Sequence, residues 1–365
     1  MAAYLLALYQ EIEWVAGRLG GRGRVTAIHL GGGSPTLLTP QDLGVLKQKL
    51  LAVFHIDPSA QISIEIDPND LDDGRYDAMA QFGLNRASIG VQDFDPRVQK
   101  AINRIQTYEQ TSAVVDAMRL RGVASVNLDL LYGLPYQDEA GLANTVNLAL
   151  TLAPDRVALF GYAHVPWIKP HQKMIPEAAL PDGYARFRQA GLAADLMSSA
   201  GLEPVGFDHF ARADDRLAQA SRLGRLKRNF QGYTDDAADA LIGLGASAIG
   251  RLPQGYVQNL TPTGAYCNAV LAGSGATARG IALTPDDRLR ADAIAALLCT
   301  FRLRPADLAD HGPAGDRLME EAAAHAIHRR RIGSSPGPRR RFGRRDGGDA
   351  WSSPRRNAAR HSAAV

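Results

Sequence analysis

The sequence predicts an α/β fold in which parallel strands form a full or partial barrel and helices pack outside it. Strand-like and helix-like segments alternate along most of the chain, which is typical of a parallel sheet. The strands recur at near-regular spacing, which favours a barrel over a three-layer sandwich. Apolar residues make up 45% of the 365, enough for a sizeable core.

The first elements carry clear local signals. Residues 3–19 form an amphipathic pattern, and 25–30 is a short apolar strand. Thr39 should cap the next helix, because Pro40 occupies its first position and Asp42 follows three residues on. Further strands are expected at 62–67, 86–91, 125–133, 156–162 and about 203–207, and further helices at about 69–82, 96–103, 108–120, 138–152 and 181–200.

The C-terminal part differs from the barrel region. From about residue 235 the sequence turns alanine-rich, and we expect a helix-rich region to about 328. Residues 329–365 hold 11 Arg and 13 Gly, Pro or Ser, so we expect this basic tail to be disordered. It could be a nucleic-acid-binding arm, but a solvated tail or an out-of-frame translation product is favoured. The predicted division is 1–234, 235–328 and 329–365.

Charge, hydropathy and cysteines restrict the class of protein. The net charge of +3 comes from the tail, which carries 11 Arg against two Asp, or +9, and leaves −6 elsewhere. Mean hydropathy is −0.17, and Glu11 and Glu13 interrupt the apolar start, so we expect a cytoplasmic protein without a membrane span or signal peptide. Two cysteines, Cys267 in a loop-like stretch and Cys299 in a helix, are expected to be reduced thiols.

Glycines and polar side chains follow the ends of successive predicted strands. Ligands bind at the C-terminal ends of parallel strands in such barrels, so this shared placement predicts a binding site. The residues, in strand order, are Gly31–Gly33 with Ser34, then Glu65, Gln92 with Asp93, Asp129, and Tyr162 with Ala163 and His164.

Each of these residues has a simpler interpretation. The glycine triple fits neither common nucleotide-binding loop and could be a plain strand-to-helix turn. Glu65 points opposite to Ile62, Ile64 and Ile66, so it is either solvated or directed into the barrel, where it would need a partner such as an amine. Asp129, in an apolar strand, either caps a turn or binds a ligand.

Several longer stretches occur in one order along the chain: "HLGGGSPT", "LNRASIGVQDFDPRVQKAINRIQ", "SVNLDLLYGLPYQ", "GFDHFARADD" and "KRNFQGYT". Together they resemble the oxygen-independent coproporphyrinogen III oxidases, which are radical S-adenosylmethionine (SAM) enzymes of heme synthesis. The resemblance covers about residues 1–320. It implies a partial (β/α) barrel of radical SAM type with a smaller helical C-terminal region.

The resemblance also implies roles for individual residues. Glu65 matches the carboxylate that meets the methionine amino group of SAM, and Arg104 is either a SAM contact or part of a structural salt bridge. Lys227 and Gly161 depart from the His and Asn that family members tend to carry. The implied SAM contacts are Gly32, Gly33, Ser34, Glu65, Gln92, Arg104, Asp129, Ala163 and Ile249. The implied tetrapyrrole contacts are Arg212, Arg225, Lys227 and Arg228, beside Phe210 and Phe230.

The resemblance implies a reaction and its cofactors. An electron from a [4Fe–4S] cluster cleaves SAM to a 5′-deoxyadenosyl radical, which takes hydrogen from a propionate of coproporphyrinogen III. Loss of CO₂ leaves a vinyl group, and a second round yields protoporphyrinogen IX. The implied partners are the tetrapyrrole, an electron donor and an electron acceptor, with no nucleic acid and no membrane.

One expected feature is absent from the sequence. The C-x₃-C-x₂-C motif that holds the cluster in this class does not occur, since Cys267 and Cys299 are the two cysteines of the chain. Residues 1–20 match the helix after the cluster loop, so we expect that the cluster loop and first barrel strand are cut away and that the C-terminus diverges. The alternative hypotheses are an inactive fragment that at most binds SAM, heme or a porphyrin, and a heme chaperone relative.

Overall fold

The computed structural model describes residues 1–20, 23–69 and 71–333. Residues 334–365 lie outside the described residues, so most of the tail predicted to be disordered is not tested. The strands are β1 (Arg24–Leu30), β2 (His55–Ile66), β3 (Arg86–Gln92), β4 (Ser125–Tyr132), β5 (Arg156–Gly161), β6 (Leu202–Val205), β7 (His209–Arg212), β8 (Lys227–Asn229), β9 (Gly232–Thr234), β10 (Ile249–Leu252), β11 (Gly255–Asn259) and β12 (Thr277–Ala282).

Eleven α-helices connect or flank these strands in the described residues. They are α1 (Ala2–Arg18), α2 (Pro40–Val53), α3 (Asp73–Phe82), α4 (Pro96–Ala101), α5 (Tyr108–Leu120), α6 (Glu139–Thr151), α7 (Gly183–Ser199), α8 (Arg216–Arg222), α9 (Thr263–Leu271), α10 (Pro285–Thr300) and α11 (Pro313–Gly333). None of the helices within the described ranges is long and apolar enough to span a bilayer. Helix α11 reaches Gly333, so the first residues of the predicted disordered tail are helical.

A seven-stranded sheet organises the first two thirds of the chain. Its order is β1-β2-β3-β4-β5-β7-β6. Strands β1 to β5 run parallel to one another, whereas β7 runs antiparallel to both β5 and β6. The predicted α/β class with a parallel sheet and outer helices is therefore confirmed, and the open strand order is compatible with a partial barrel.

The two faces of this sheet differ in chemistry. Alternate residues such as Ile64, Ile89, Leu128 and Val157 pack with the helices into the main hydrophobic core. The opposite face, which we call the inner face, carries the residues between them, and most of these are polar. The inner-face residues are His29, Ser63, Glu65, Arg86, Ser88, Gly90, Ser125, Asn127, Asp129, Arg156, Ala158, Phe160 and His209.

The local predictions hold for most elements of the barrel region. Thr39 accepts a hydrogen bond from the backbone of Asp42, and the Asp42 side chain accepts one from the backbone of Thr39, which is the expected capping box. Strand β2 is longer than predicted and begins at His55, because its first residues pair with Arg24 and Val25 of β1.

The helices of the helix-rich region expected from about residue 235 begin later than predicted, at Thr263. Residues 235–248 form no helix, and β10, β11 and β12 form a three-stranded antiparallel sheet beyond them. The 235–248 segment contacts β1 and α1 instead, since Asp236 accepts a hydrogen bond from Thr26 and Gly245 donates one to Glu11. Tertiary contacts have overridden the helix propensity of its alanines.

Two further points concern the C-terminal region. Cys267 lies on α9 and not in a loop, and both Cys267 and Cys299 are buried thiols. The predicted boundary at 234/235 stays a prediction, because the contacts of Asp236 and Gly245 just described cross it.

Candidate functional site

The polar residues predicted at the strand ends lie on one edge of the inner face. In the sheet register Gly90 pairs with Asp129, Asp129 with Ala158, and Ala158 with His209. Paired residues point to the same side of a sheet, so these residues form one row across β3, β4, β5 and β7. Glu65 pairs with Ser88 in the row below. The alternation in β2 therefore directs Glu65 to the inner face, away from the core.

Glu65 is held at the end of β2 by His29 and by the glycine loop. Its two carboxylate oxygens lie 3.2 Å from His29 Nε2 and 3.2 Å from the backbone nitrogen of Gly32. His29 Nδ1 in turn lies 2.8 Å from Ser63 Oγ. The hydrogen bond from His29 holds the pKa of Glu65 below its ordinary value, although burial acts in the opposite direction. Glu65 is therefore a carboxylate at neutral pH.

The glycine loop approaches Glu65 closely. A Cβ atom on Gly31 would lie 2.6 Å from His29 Nε2 and 2.7 Å from the Glu65 carboxyl carbon. Gly32 has φ +78°, which a side chain would disfavour. The plain-turn interpretation is therefore incomplete, because this backbone borders an acidic side chain. Ser34 and Gly33 continue the loop, and Gly33 has open space around it.

Asp129 lies in the middle of the next row. It accepts hydrogen bonds from Asn127 Nδ2 at 2.7 Å and from Ser88 Oγ at 3.1 Å. Burial raises the pKa of Asp129, and the hydrogen bonds from Asn127 and Ser88 act against that rise. Its row neighbours are the small residues Gly90 and Ala158, and the side chains of Gln92 and Arg104 lie over Gly90.

Gln92 and Arg104 cover Gly90. The register of β3 and β4 shifts between Gly90 and Gln92, and Gln92 has φ +67°, so a β-bulge turns its side chain back over the strand. Arg104 donates from Nη2 to the carbonyl of Gly90 at 2.9 Å and lies 3.5 Å from Asp67 Oδ2. Its Nε is buried and has no partner among the described residues. The salt bridge left open by the sequence thus exists, and the guanidinium keeps an unused donor.

The segment after β5 is fixed by a buried glutamine. Gln172 Nε2 donates to the carbonyl of Ala163 at 3.0 Å, and its Oε1 accepts from the backbone of Val165 at 2.6 Å. Tyr162 Oη lies 3.2 Å from His164 Nδ1. Exposed Ala163 therefore has a defined backbone at the same edge of the sheet as Asp129.

Two residues considered for the site do not belong to the strands of the inner face. Asp93 is fully buried, and it accepts hydrogen bonds from Gln137 at 2.6 Å and Thr145 at 2.9 Å, so it anchors the loop after β3. Ile249 lies on β10 in a different sheet. None of the hydrogen bonds described for the chain links it directly to the inner face.

The four cations implied for the tetrapyrrole do not form one cluster. Arg228 lies over the rings of Phe207 and Tyr233, with its guanidinium carbon 4.7 and 4.6 Å from their centroids. Arg225 and Lys227, which precede Arg228 in the sequence, are exposed. Arg212 lies at the other end of the sheet, 3.1 Å from Asp214 and 3.9 Å from Asp155, which precedes β5. The structure thus separates Arg212 from the SAM-type residues.

Sequence reasoning missed a buried acid–histidine pair. Asp208 Oδ1 lies 2.6 Å from His209 Nδ1, and Arg228 lies 3.3 Å from Asp208 Oδ2. Burial tends to raise the pKa of Asp208, but His209 and Arg228 outweigh burial and hold that pKa below its ordinary value. The available signal was the pair of polar residues directly before an apolar strand, in "GFDHFA".

We asked whether the residues present fit an iron–sulfur cluster. Such a cluster needs cysteine thiolates close together. Cys267 packs with Tyr266 and Val270, whereas Cys299 packs with Leu217 and Leu226 in a different hydrophobic cluster. No group of three or more His, Cys, Asp or Glu side chains within 1–20, 23–69 and 71–333 is arranged for a metal ion. The described residues do not fit the cluster.

Comparisons with known proteins agree with this geometry. The profile of the Radical SAM superfamily matches residues 8–149. An oxygen-independent coproporphyrinogen III oxidase of Bradyrhizobium diazoefficiens is 50% identical over 324 residues, which is 88% of this chain and 72% of the relative. That of Paracoccus denitrificans is 47% identical over 327 residues, with the same two shares. The solved coproporphyrinogen III oxidase of Escherichia coli, described as a radical SAM enzyme, gives a TM-score of 0.80 at 40% identity and covers 84% of this chain and 70% of that chain.

The match to the Radical SAM profile and to a solved radical SAM enzyme, together with the parallel sheet, identifies a radical SAM protein. Within that class the relatives are close enough to be specific. The chain belongs to the oxygen-independent coproporphyrinogen III oxidase family, a family of oxidoreductases.

Proposed function

We propose that this chain takes part in the oxidative decarboxylation of coproporphyrinogen III to protoporphyrinogen IX in heme biosynthesis, with SAM bound on the inner face of its sheet. The observation that carries the proposal is the convergence of Glu65, Arg104 and Asp129 at one edge of a polar sheet face. The family relationship supports the reaction. The alternative of a fragment that only binds a ligand is not favoured by relatives named as oxidases.

The residues at this edge suit the parts of SAM. Glu65, ionised and already accepting from Gly32, binds the methionine amino group, while the loop of Gly32, Gly33 and Ser34 lines the methionine. Arg104 has an unused Nε donor for a carboxylate. When bound, SAM supplies the carbon radical that abstracts hydrogen from the substrate.

The remaining SAM contacts are proposed from the sheet register, the bulge in β3 and the family resemblance. Asp129, flanked by Gly90 and Ala158, accepts a hydrogen bond from a hydroxyl or amine of SAM. Gln92 lies near it through the bulge in β3. Ala163 and Ile249 stay as SAM contacts by family resemblance, because no described contact ties them to the others.

The tetrapyrrole is proposed to bind beside Arg228. Its guanidinium stacks on the rings of Phe207 and Tyr233, which meet edge to face, so a cation and apolar surface lie side by side. Arg225 and Lys227 are available for further propionates. We do not include Arg212, which lies at the opposite end of the sheet.

Several features of the reaction remain predictions. The electron donor and acceptor, the cytoplasmic location and the absence of nucleic-acid or membrane partners stay predictions. The two cysteines of the sequence cannot supply the three thiolates of a family-type cluster. We therefore derive no step of the reaction through a cluster held by this chain.

The amino-group contact is tested by measuring ligand binding to Glu65→Gln by calorimetry. We expect about tenfold weaker binding of SAM, because a charged hydrogen bond to the amine is lost. Binding of 5′-methylthioadenosine, which has no amino-acid part, should not change.

Asp57→Asn is the matched control for this experiment. Asp57 is an acid at the other end of β2, 2.6 Å from Arg24, so its loss should leave both affinities unchanged. Equal SAM affinities of the wild-type chain and Glu65→Gln would contradict the proposed contact.

A further inference from the structure

The pair formed by Asp208 and His209 has no role in the SAM site described above. His209 begins β7 on the inner face and is 7% exposed, and Asp208 is 6% exposed. A buried histidine that serves only structure usually has hydrogen-bond partners at both ring nitrogens. Here Asp208 binds Nδ1, and Nε2 has no hydrogen-bond partner in the part of the chain that the structure describes.

The orientation of the His209 ring is strongly fixed. The rings of Phe160 and Tyr233 both meet it edge to face, with centroid distances of 5.7 and 5.3 Å. Asp208 fixes the ring further, because its Oδ1 atom lies 2.6 Å from His209 Nδ1. Gly232 borders the other nitrogen, and a Cβ there would lie 3.9 Å from Nε2. A glycine at this position therefore leaves the Nε2 atom uncovered.

His209 lies between the two proposed binding regions. It shares a row with Asp129 and is two strands away, which corresponds to about 10 Å. Its charge acts on Asp129, since His209 lowers the pKa of that carboxyl group. On its other side Asp208 joins it to Arg228, which stacks on Phe207 and Tyr233.

The charges in this cluster favour an anionic ligand. Asp208 contacts two basic neighbours, His209 and Arg228, so the cluster holds one carboxylate and two groups that can face an anion. Because Asp208 occupies Nδ1, Nε2 is the ring nitrogen that remains for a ligand. The ligand class that matches is a carboxylate attached to a flat apolar ring system.

We propose that His209 is a substrate-binding residue whose Nε2–H donates to a propionate carboxylate of the tetrapyrrole, with Asp208 as its positioning residue. This inference rests on the proposed function. It assigns one propionate to a point about two strand spacings from Asp129 and thus close to the SAM site. Arg228 serves a neighbouring part of the same ligand through its stack on Phe207 and Tyr233.

The test compares a porphyrin that has four free propionate carboxylates with one in which all four are methyl esters. Coproporphyrin III and its tetramethyl ester are titrated into the full chain, and binding is followed by porphyrin fluorescence. We expect His209→Gln to bind coproporphyrin III about tenfold more weakly, because the donor to the carboxylate is lost. Affinity for the ester should stay at the wild-type value, since the ester offers no carboxylate.

His311→Gln is the matched control. His311 also bonds to an aspartate, with Nε2 2.7 Å from Asp292 Oδ2, but it lies outside the seven-stranded sheet. It should change neither affinity. If His209→Gln does not fold, Asp208→Asn replaces it, and we expect at least about threefold weaker binding of the acid and unchanged binding of the ester.

Two results would overturn the inference. One is wild-type affinity of the folded His209 or Asp208 variant for coproporphyrin III, and the other is an equal loss for acid and ester. A wild-type chain that binds neither porphyrin would instead contradict the proposed function, and this inference with it.

Discussion

Gly31 and Glu65 illustrate how closely backbone and side chain meet at this site. The space for a Cβ atom on Gly31 is already occupied by His29 Nε2 and the Glu65 carboxyl group. Both are the ends of side chains that can rotate away, so a substitution here should move the acid without breaking the sheet. The site can therefore be damaged while the fold stays intact.

Gly31→Ala tests this separation. We expect SAM to bind about tenfold more weakly, because the added methyl group displaces Glu65 from its position beside Gly32. The free energy of unfolding should fall by no more than about 1 kcal/mol. Calorimetry with SAM and urea unfolding measure the two effects.

Gly44→Ala is the control, since a Cβ atom there meets nothing within 4 Å on α2. It should leave SAM binding unchanged. Unfolding of Gly31→Ala at a much lower urea concentration than wild type would show that Glu65 and His29 cannot move aside.

Single residues also show how far the sequence reaches. The alternation of Ile62, Ile64 and Ile66 correctly predicts that Glu65 faces away from the core, because strand side chains alternate with period two. The His29 contact depends on the register of β1 and β2, which the local pattern does not contain. The left-handed conformation of Gln92 arises from a bulge and is equally hidden from sequence reasoning.

Among the elements, α1 is tied to the C-terminal region by one buried acid. Glu11 is 3% exposed and accepts hydrogen bonds from the backbone of Gly245, from Asn259 and from Tyr266, each at 2.7 Å. Ala7 of α1 also packs in one hydrophobic cluster with Tyr266 and Val270 of α9. Helix α1 therefore belongs to both regions of the chain.

Glu11→Ala should destabilise the chain strongly. It removes the acceptor of Gly245 and of Tyr266 and one of the two acceptors of Asn259, and such a loss typically costs about 3–5 kcal/mol for a buried charged network. Urea unfolding followed by circular dichroism measures the free energy of unfolding.

Glu13→Ala is the matched control on the same helix. Glu13 is exposed and pairs with Lys49 at 2.7 Å, so its loss should cost less than about 1 kcal/mol. A Glu11 variant as stable as the Glu13 variant would show that the buried hydrogen bonds do not hold the two regions together.

The lack of a helix over 235–248 is also explained at the scale of elements. Alanines favour a helix locally, but Gly243 and Gly245 lie within the segment and lower its helix propensity. The segment must connect β9 with β10 while contacting Thr26 and Glu11, and an extended path covers more distance per residue than a helix. A local pattern cannot reveal that requirement.

For the whole molecule, the positions of the two cysteines decide what the chain can do alone. Cys267 and Cys299 are buried in separate hydrophobic clusters. Anaerobic reconstitution of the chain with iron and sulfide should therefore give no iron–sulfur absorption and no SAM cleavage, because a cluster needs several adjacent thiolates.

Cys267→Ser and Cys299→Ser serve as controls for reconstitution. Any iron that adheres to the surface should be the same for both variants and the wild-type chain. A cluster that assembles on the wild-type chain and is lost in either variant would contradict the structural separation of the two thiols.

The contrast between the two faces of the large sheet has a consequence for how such a protein can change over time. Packing against the helices is carried by Ile64, Ile89, Leu128 and Val157, whereas the inner face carries the polar residues of the proposed site. Ancestral chains could thus exchange one bound molecule for another by altering every second residue of a strand. The intervening residues would keep the scaffold folded throughout.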